Sequence, residues 1–176
     1  MHKLSEGDIM EKNMKCLIFS DSHGSGDLMR EALLMHRDAD AVLFLGDGLR
    51  EFDTLASEYT DKMFIAVRGN CDFYAYFKGK EAEKCESISL SGYKITATHG
   101  DLYGVKYGLC GAMKLASDTE SDIILFGHTH EPLCECRLIG DKSVYFFNPG
   151  SLSVGSFGIL TFDRTPKFSY GRVGKY

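Results

Sequence analysis

Five short apolar runs, each stopping at a polar residue beside a glycine, constrain this chain more than any other feature. Residues 15–20 stop at Asp21-Ser22-His23-Gly24 and residues 41–45 at Gly46-Asp47. Residues 63–67 stop at Arg68-Gly69-Asn70-Cys71-Asp72, residues 94–98 at His99-Gly100-Asp101, and residues 123–126 at Gly127-His128-Thr129-His130. Runs of this length without helical period read as buried strands. Between them, Leu28, Ala32 and Leu33 recur at helical spacing in residues 27–36, and residues 49–59 read as a second amphipathic helix. Strand, loop and helix therefore alternate as in parallel βαβ units, and the first half is α/β.

The middle of the chain changes character. Residues 86–90 and 94–98, separated by Ser91-Gly92-Tyr93, suit a hairpin, and residues 105–117 predict a third helix interrupted by Gly108 and Gly111. Beyond Pro132, the segments 133–138, 144–147, 159–162 and 168–173 alternate in the manner of mostly antiparallel strands. No repeat or linker divides residues 14–176, which read as a single domain. Residues 1–13, MHKLSEGDIMEKN, form a polar leader, read as disordered or non-native, with Met14 as a candidate start. They lack the apolar stretch of a signal peptide.

The five strand ends carry the chemistry. In an open α/β sheet the carboxyl ends of the strands share one edge, so loops far apart in sequence converge there. Glycines at 24, 46, 69, 100 and 127 permit the tight backbone that aims a side chain off a strand end. Asp21/His23 and His128/His130 are i, i+2 pairs, which in extended backbone project to the same side. Carboxylate, amide oxygen and imidazole together suit borderline divalent ions such as Mn²⁺, Fe²⁺, Ni²⁺ or Zn²⁺, with Mn²⁺ the expected occupant and availability deciding, and seven donors exceed what one such ion takes. Shared by two divalent ions, they leave positions open for water and substrate. A centre of that kind can acidify a bridging water and stabilise developing charge.

Composition narrows the classes. The chain has 176 residues, 44% hydrophobic and 26% charged, enough for one core. A net charge of -5 argues against stable, non-specific nucleic-acid binding. The apolar runs are too short to span a membrane. Six cysteines without a CxxC pair read as reduced thiols of a soluble, cytoplasmic protein. Cys134 and Cys136 read as two buried small hydrophobes on one strand face. A homodimer is the commonest oligomeric outcome.

The ordered set Asp21-x-His23, Gly46-Asp47, Gly69-Asn70-Cys71-Asp72, His99-Gly100-Asp101 and Gly127-His128-x-His130 resembles the calcineurin-like metallophosphoesterase superfamily, in particular its small prokaryotic phosphodiesterase branch. The resemblance implies a four-layer α/β/β/α sandwich of two mixed sheets with helices on the outer faces, acting on small phosphate esters. It implies one metal on Asp21, His23, Asp47 and His130, a second on Asp47, Asn70, His99 and His128, and Asp47 as the bridge. Asp47, Asn70 and His99 would be central to catalysis. Asn148-Pro149-Gly150-Ser151 matches a further motif, a buried turn beside the metal loops. Phosphoprotein phosphatases of the superfamily carry histidine after the GN pair where this chain has Cys71, and a thiol is the weaker acid at neutral pH. That departure points to phosphodiesters and activated aryl esters over serine phosphate. The contrasting reading is a scaffold, because a eukaryotic relative of the fold with altered metal residues serves a membrane-trafficking coat.

Around the motifs, Asp72 and Asp101 suit either hydrogen bonds from ligand imidazoles or turn capping. Arg68, Tyr74 and Tyr103 read as packing more than substrate contacts, and His2 and His36 as surface residues.

Overall fold

Alternation along the first strand divides the core in two. In the computed structural model, which describes residues 14–73 and 76–174, β1 (Lys15–Phe19) turns Leu17 and Phe19 to one side and Cys16 and Ile18 to the other. The first side packs on α1 (Gly26–Met35) and, with Val42 and Phe44 of β2 (Ala41–Phe44), on α2 (Leu49–Glu58). β3 (Met63–Ala66) completes the parallel part of this sheet. A small hairpin, β4 (Tyr76–Phe77) and β5 (Lys80–Glu81), then lies against α2.

The second side of β1 meets another sheet. β6 (Cys85–Leu90) and β7 (Tyr93–Thr98) form the expected hairpin, and β8 (Ile123–Leu125) runs parallel to β7. β9 (Pro132–Ile139) and β10 (Lys142–Pro149) complete this sheet in the order β6-β7-β8-β10-β9. Its inner residues Ile95, Ala97, Ile123, Leu125 and Phe147 interlock with Cys16, Ile18, Ala41 and Leu43. Its outer residues Ile124, Val144 and Phe146 are covered by α3 (Cys110–Asp118). The chain returns through β11 (Ser156–Asp163) and β12 (Thr165–Arg172), giving the first sheet the order β12-β11-β1-β2-β3. The architecture is the four-layer α/β/β/α sandwich of two mixed sheets.

Four details depart from the sequence reading. The hairpin turn is Ser91-Gly92 alone, both at positive φ (48° and 80°), and Tyr93 already pairs with Leu90. The third helix begins at Cys110, not 105: two 3-10 turns occupy 101–103 and 105–107, and Gly108 at φ 129° breaks the path between them and α3. β4 and β5 carry two residues each, too few to show alternation. Cys134 and Cys136 are exposed rather than buried. They pair with Phe147 and Tyr145 and share their face, but β9 is the last strand of its sheet and that face is open there.

The leader at residues 1–13 lies outside the described residues, as does Tyr74. Among the described residues no helix is long and apolar enough to cross a membrane.

Phe44 is fully buried and stacks on Phe52 at 4.8 Å, between the first sheet and α2. Phe44→Ala should cost about 3–5 kcal/mol in denaturant unfolding, whereas Leu138→Ala, at a site 68% exposed, should stay within about 0.5 kcal/mol. Equal losses would show that the β1–β2–α2 packing is not a principal source of stability.

Candidate metal centre

Strand register brings the loops to one level. Phe19 pairs with Phe44 and Phe44 with Ala66, so β1, β2 and β3 end side by side. In the facing sheet Ala97 pairs with Leu125, so β7 and β8 end together as well. The amide of Asp21 donates to Gly46 O (2.9 Å), that of His23 to Asp47 O (3.0 Å) and that of Gly127 to His99 O (3.0 Å). Two bonds then join the sheets: His99 Nδ1 donates to Leu45 O at 2.7 Å, and the amide of His128 donates to Asp21 Oδ2 at 3.0 Å.

All seven residues singled out in the sequence gather here in two adjoining groups. In one, His130 Nε2 lies 3.1 Å from Asp21 Oδ1 and 3.4 Å from His23 Nε2, and His23 Nε2 lies 3.9 Å from Asp21 Oδ1. In the other, His99 Nε2 lies 3.1 Å from Asn70 Oδ1, 3.1 Å from His128 Nδ1 and 3.4 Å from Asp47 Oδ2. Asp47 clusters with Asp21 and His99 and, separately, with His23 and Cys71, within 4.8 Å in each case, so it stands between the groups.

The donor set suits a cation better than it suits itself. Because a carbonyl only accepts, the bond to Leu45 places a proton on His99 Nδ1 and leaves the neutral ring's lone pair on Nε2, aimed at other acceptors. Asp21 is fully buried, and its Oδ2 takes bonds from Ser20 Oγ (2.5 Å) and His128 N. Its Oδ1 has no hydrogen-bond partner among the described residues, although it faces the nitrogens of His130, His23 and, at 4.0 Å, His99. A buried carboxylate oxygen left bare among imidazoles is explained by a bound cation.

Electrostatics lean the same way. Burial pushes the Asp47 carboxyl up, but the His99 imidazole and the Cys71 amide, which donates to Asp47 Oδ1 at 2.8 Å, hold it well below the usual carboxylate range. Burial pushes His99 down, yet Asp47 and Asp21 together with the Leu45 carbonyl raise it overall. Burial and the neighbouring His99 push His128 down. The carboxylates thus favour positive charge at the centre of the pocket, while the flanking ring disfavours it.

The backbone that aims these groups is unusual. Five of the nine non-glycine residues described with positive φ are Asp21, His23, Asp47, His128 and His130, at 45–66°. Asp and His are among the types that tolerate this region, and such clustering marks sites where conformation is fixed by the surroundings. The i, i+2 pairs therefore share a side through left-handed backbone, not the extended geometry expected from strand ends. Gly69 serves close approach instead: a Cβ there would lie 2.1 Å from Asp47 Oδ1.

Supporting residues hold the loops. Asp72 caps backbone rather than imidazoles: Oδ2 accepts from the amides of Asp47 (2.8 Å) and Gly69 (2.9 Å), and Oδ1 from Gly48 (2.9 Å) and Leu49 (3.0 Å), the N-terminus of α2. Asp101 sits in a 3-10 turn, 3.6 Å from Lys84 Nζ. Glu51, unremarked in the sequence, accepts from Gly24 N (2.5 Å) and Ser22 Oγ (3.2 Å); its only signal was its place in the first turn of α2. Asn148 is buried and donates to Gly127 O (2.9 Å), and Ser151 Oγ donates to Asp21 O (2.8 Å), so the 148–151 turn braces the metal loops without offering them a ligand. Arg68 pairs with Glu81 at 2.7 Å, and Tyr103 packs in the α3 cluster. His36, half-buried, lies 3.0 Å from Lys15 Nζ.

Asp72→Ala would leave four backbone donors without their acceptor while removing no candidate ligand. Metal affinity should fall roughly 10–100-fold, and stability should fall by about 0.5–2 kcal/mol, as for a lost helix cap. Calorimetric metal titration of the variant checks this, and unchanged affinity would show that the Asp47 loop is positioned by other contacts.

Known proteins bear on these groups. A family model described as the calcineurin-like phosphoesterase superfamily domain matches residues 14–163. The chain is 31% identical over 157 residues to the probable metallophosphoesterase YsnB of Bacillus subtilis, covering 85% of each chain. It is 28% identical over 177 residues to the phosphodiesterase YfcE of Escherichia coli, covering 85% of this chain and 89% of that one. Among solved structures, a predicted phosphoesterase from Streptococcus pneumoniae superposes with a TM-score of 0.72 at 27% identity, over 91% of this chain and 90% of that one. Vacuolar Protein Sorting 29 from Cryptosporidium parvum shares the fold, with a TM-score of 0.69 at 17% identity over 93% and 99%. The match along most of the chain settles the family that the strand-end motifs suggested: this protein belongs to the calcineurin-like phosphoesterase superfamily.

Proposed function

We propose that this protein is a cytoplasmic, metal-dependent phosphodiesterase acting on a small phosphate ester at a centre of two divalent ions, Mn²⁺ foremost and Ni²⁺, Fe²⁺ or Zn²⁺ as alternatives. The observation that carries the metal assignment is the bare, buried Oδ1 of Asp21 among three imidazoles. The family match and the similarity to a protein named a phosphodiesterase support the reaction class.

Asp21, His23, Asp47 and His130 would hold one ion, and Asp47, Asn70, His99 and His128 the other. Bound there, the ions would supply a water acidified to a nucleophile and neutralise charge on the phosphoryl oxygens. The chain's own residues set the rest. The Leu45 carbonyl fixes the His99 tautomer and presents Nε2 to the centre. Asn70 turns Oδ1 toward His99 and donates one amide N–H to Cys71 Sγ at 3.2 Å, which leaves its second N–H for a phosphate oxygen. Cys71 stands at that mouth, and partial burial and the Asp47 carboxylate push its thiol up from an already high value. It is a poor proton donor to an alkoxide, which favours diesters and aryl esters, whose leaving groups need less help.

Two experiments test the reading. Protein loaded with each of the four metals should hydrolyse a generic aryl phosphodiester and lose that activity to chelator and to His99→Ala. Asp47→Ala should lower both metal content and turnover by more than the roughly 10–100-fold that loss of a supporting group costs. Full metal content and turnover in Asp47→Ala would remove it as the bridge, and no turnover with any metal would favour the scaffold reading. The second compares substrates: kcat/KM for the aryl phosphodiester should exceed that for a phosphoserine peptide by roughly 100-fold, the usual scale of a general acid's contribution. Parity would sink the diester preference.

A further inference from the structure

Beside the metal loops opens a cleft of about 530 Å³, lined by Arg50, Asp53 and Thr54 of α2 and by Cys71, Phe73 and Tyr76 of the segment after β3. Its inner end, at Cys71 and Asp72, adjoins the candidate centre, since the Cys71 amide donates to Asp47 Oδ1 and its thiol clusters with Asp47 and His23. Its outer wall is aromatic and wet, with Phe73 83% exposed and Tyr76 60% exposed. Large rings left in water beside a polar site are the informative kind of exposure.

Both rings stand on anchored backbone. Phe73 follows Asp72, whose carboxylate binds the amides of residues 47, 48, 49 and 69. Tyr76 precedes Phe77, which stacks on Phe52 at 5.5 Å, and the next amide, of Lys78, donates to Asp53 at 2.8 Å. Phe77 is thereby half-buried against α2, and Tyr76 beside it faces outward. The opposite wall is polar: Thr54 carries a hydroxyl, and the Arg50 guanidinium is unpaired among the described residues.

We infer that this cleft receives the nucleobase of a nucleoside phosphodiester, stacked on Phe73 and Tyr76 with its polar edge toward Arg50 and Thr54. A plain aryl ring would satisfy the aromatic wall but leave the Arg50 guanidinium desolvated without a partner, since the Thr54 hydroxyl already donates to the Arg50 carbonyl at 3.0 Å; a base with its own acceptors avoids that cost. Stacking on aromatic side chains is the general means of holding bases. The inference rests on the proposed phosphodiesterase reading and names its substrate class.

The test separates the two. Calorimetry on the metal-loaded full chain compares thymidine 5′-monophosphate, phenyl phosphate and methyl phosphate as ligands. The nucleotide should bind roughly 10-fold or more tighter than methyl phosphate, with phenyl phosphate between them. Phe73→Ala with Tyr76→Ala should bring the three together, and Arg50→Ala should weaken the nucleotide more than phenyl phosphate. In kinetics, the p-nitrophenyl ester of thymidine 5′-monophosphate should outrun methyl p-nitrophenyl phosphate, which has the same leaving group. The aromatic variant should collapse that preference through KM. Nucleotide binding no tighter than that of methyl phosphate overturns the inference, and phenyl phosphate matching the nucleotide overturns the nucleoside assignment. Absent turnover of both esters, with the binding preference intact, defeats the proposed phosphodiesterase while the cleft assignment stands.

Discussion

One buried carboxylate ties the two sheets together and is left incomplete by the tie. Asp21 sits at the end of β1, and its Oδ2 reaches across to the amide of His128 in the loop after β8, with Ser20 as a second donor. Its own carbonyl receives Ser151 and the amide of Ser153, from the turn that leads back into the first sheet. The carboxylate cannot be exchanged for an apolar group without leaving the Ser20 hydroxyl and the His128 amide unpaired. Yet the same packing leaves Oδ1 without a hydrogen-bond donor among the described residues, so the bracing of the sandwich and a place suited to a cation arise in one residue.

The second bond between the sheets, from His99 to Leu45, acts in parallel. It orients an imidazole and holds the ends of β2 and β7 at one level. Site geometry and sheet packing are therefore the same set of contacts. This is why the fold, shared with Vacuolar Protein Sorting 29 at 17% identity, does not by itself assign a function. Function rests on the groups at the strand ends, and here all seven stand together.

Much of this was legible in the sequence because buried strands end abruptly. Apolar runs that stop at Asp, Asn or His beside glycine show both the strand and the residue at its tip, and parallel pairing then brings the tips together. The second sheet was not legible from pattern. Alternation shows that β1 has two buried faces but not what covers each, so the layering entered through family resemblance. Exposure at the end of a sheet is hidden for the same reason: Cys134 and Cys136 alternate like core residues, and only the place of β9 at the margin leaves them open. The left-handed backbone of Asp21, His23, Asp47, His128 and His130 escaped because Asp and His, unlike glycine, do not advertise it. Asp72 was half legible: its position marked it as a support, but its four amide partners lie in loops that sequence spacing cannot join.

Asp72 also sets how the molecule can change. Its carboxylate makes the Asp47 loop, the start of α2 and the turn after β3 one rigid block, while the aromatic residues beyond it project from that block into solvent. Chemistry and recognition are thus neighbours in sequence but separated mechanically by a single side chain. New ring or charge arrangements at residues 73 and 76 would alter the wall of the cleft without moving Asp47 or its loop, so a protein built this way could change what it admits while the residues at the strand ends stay fixed.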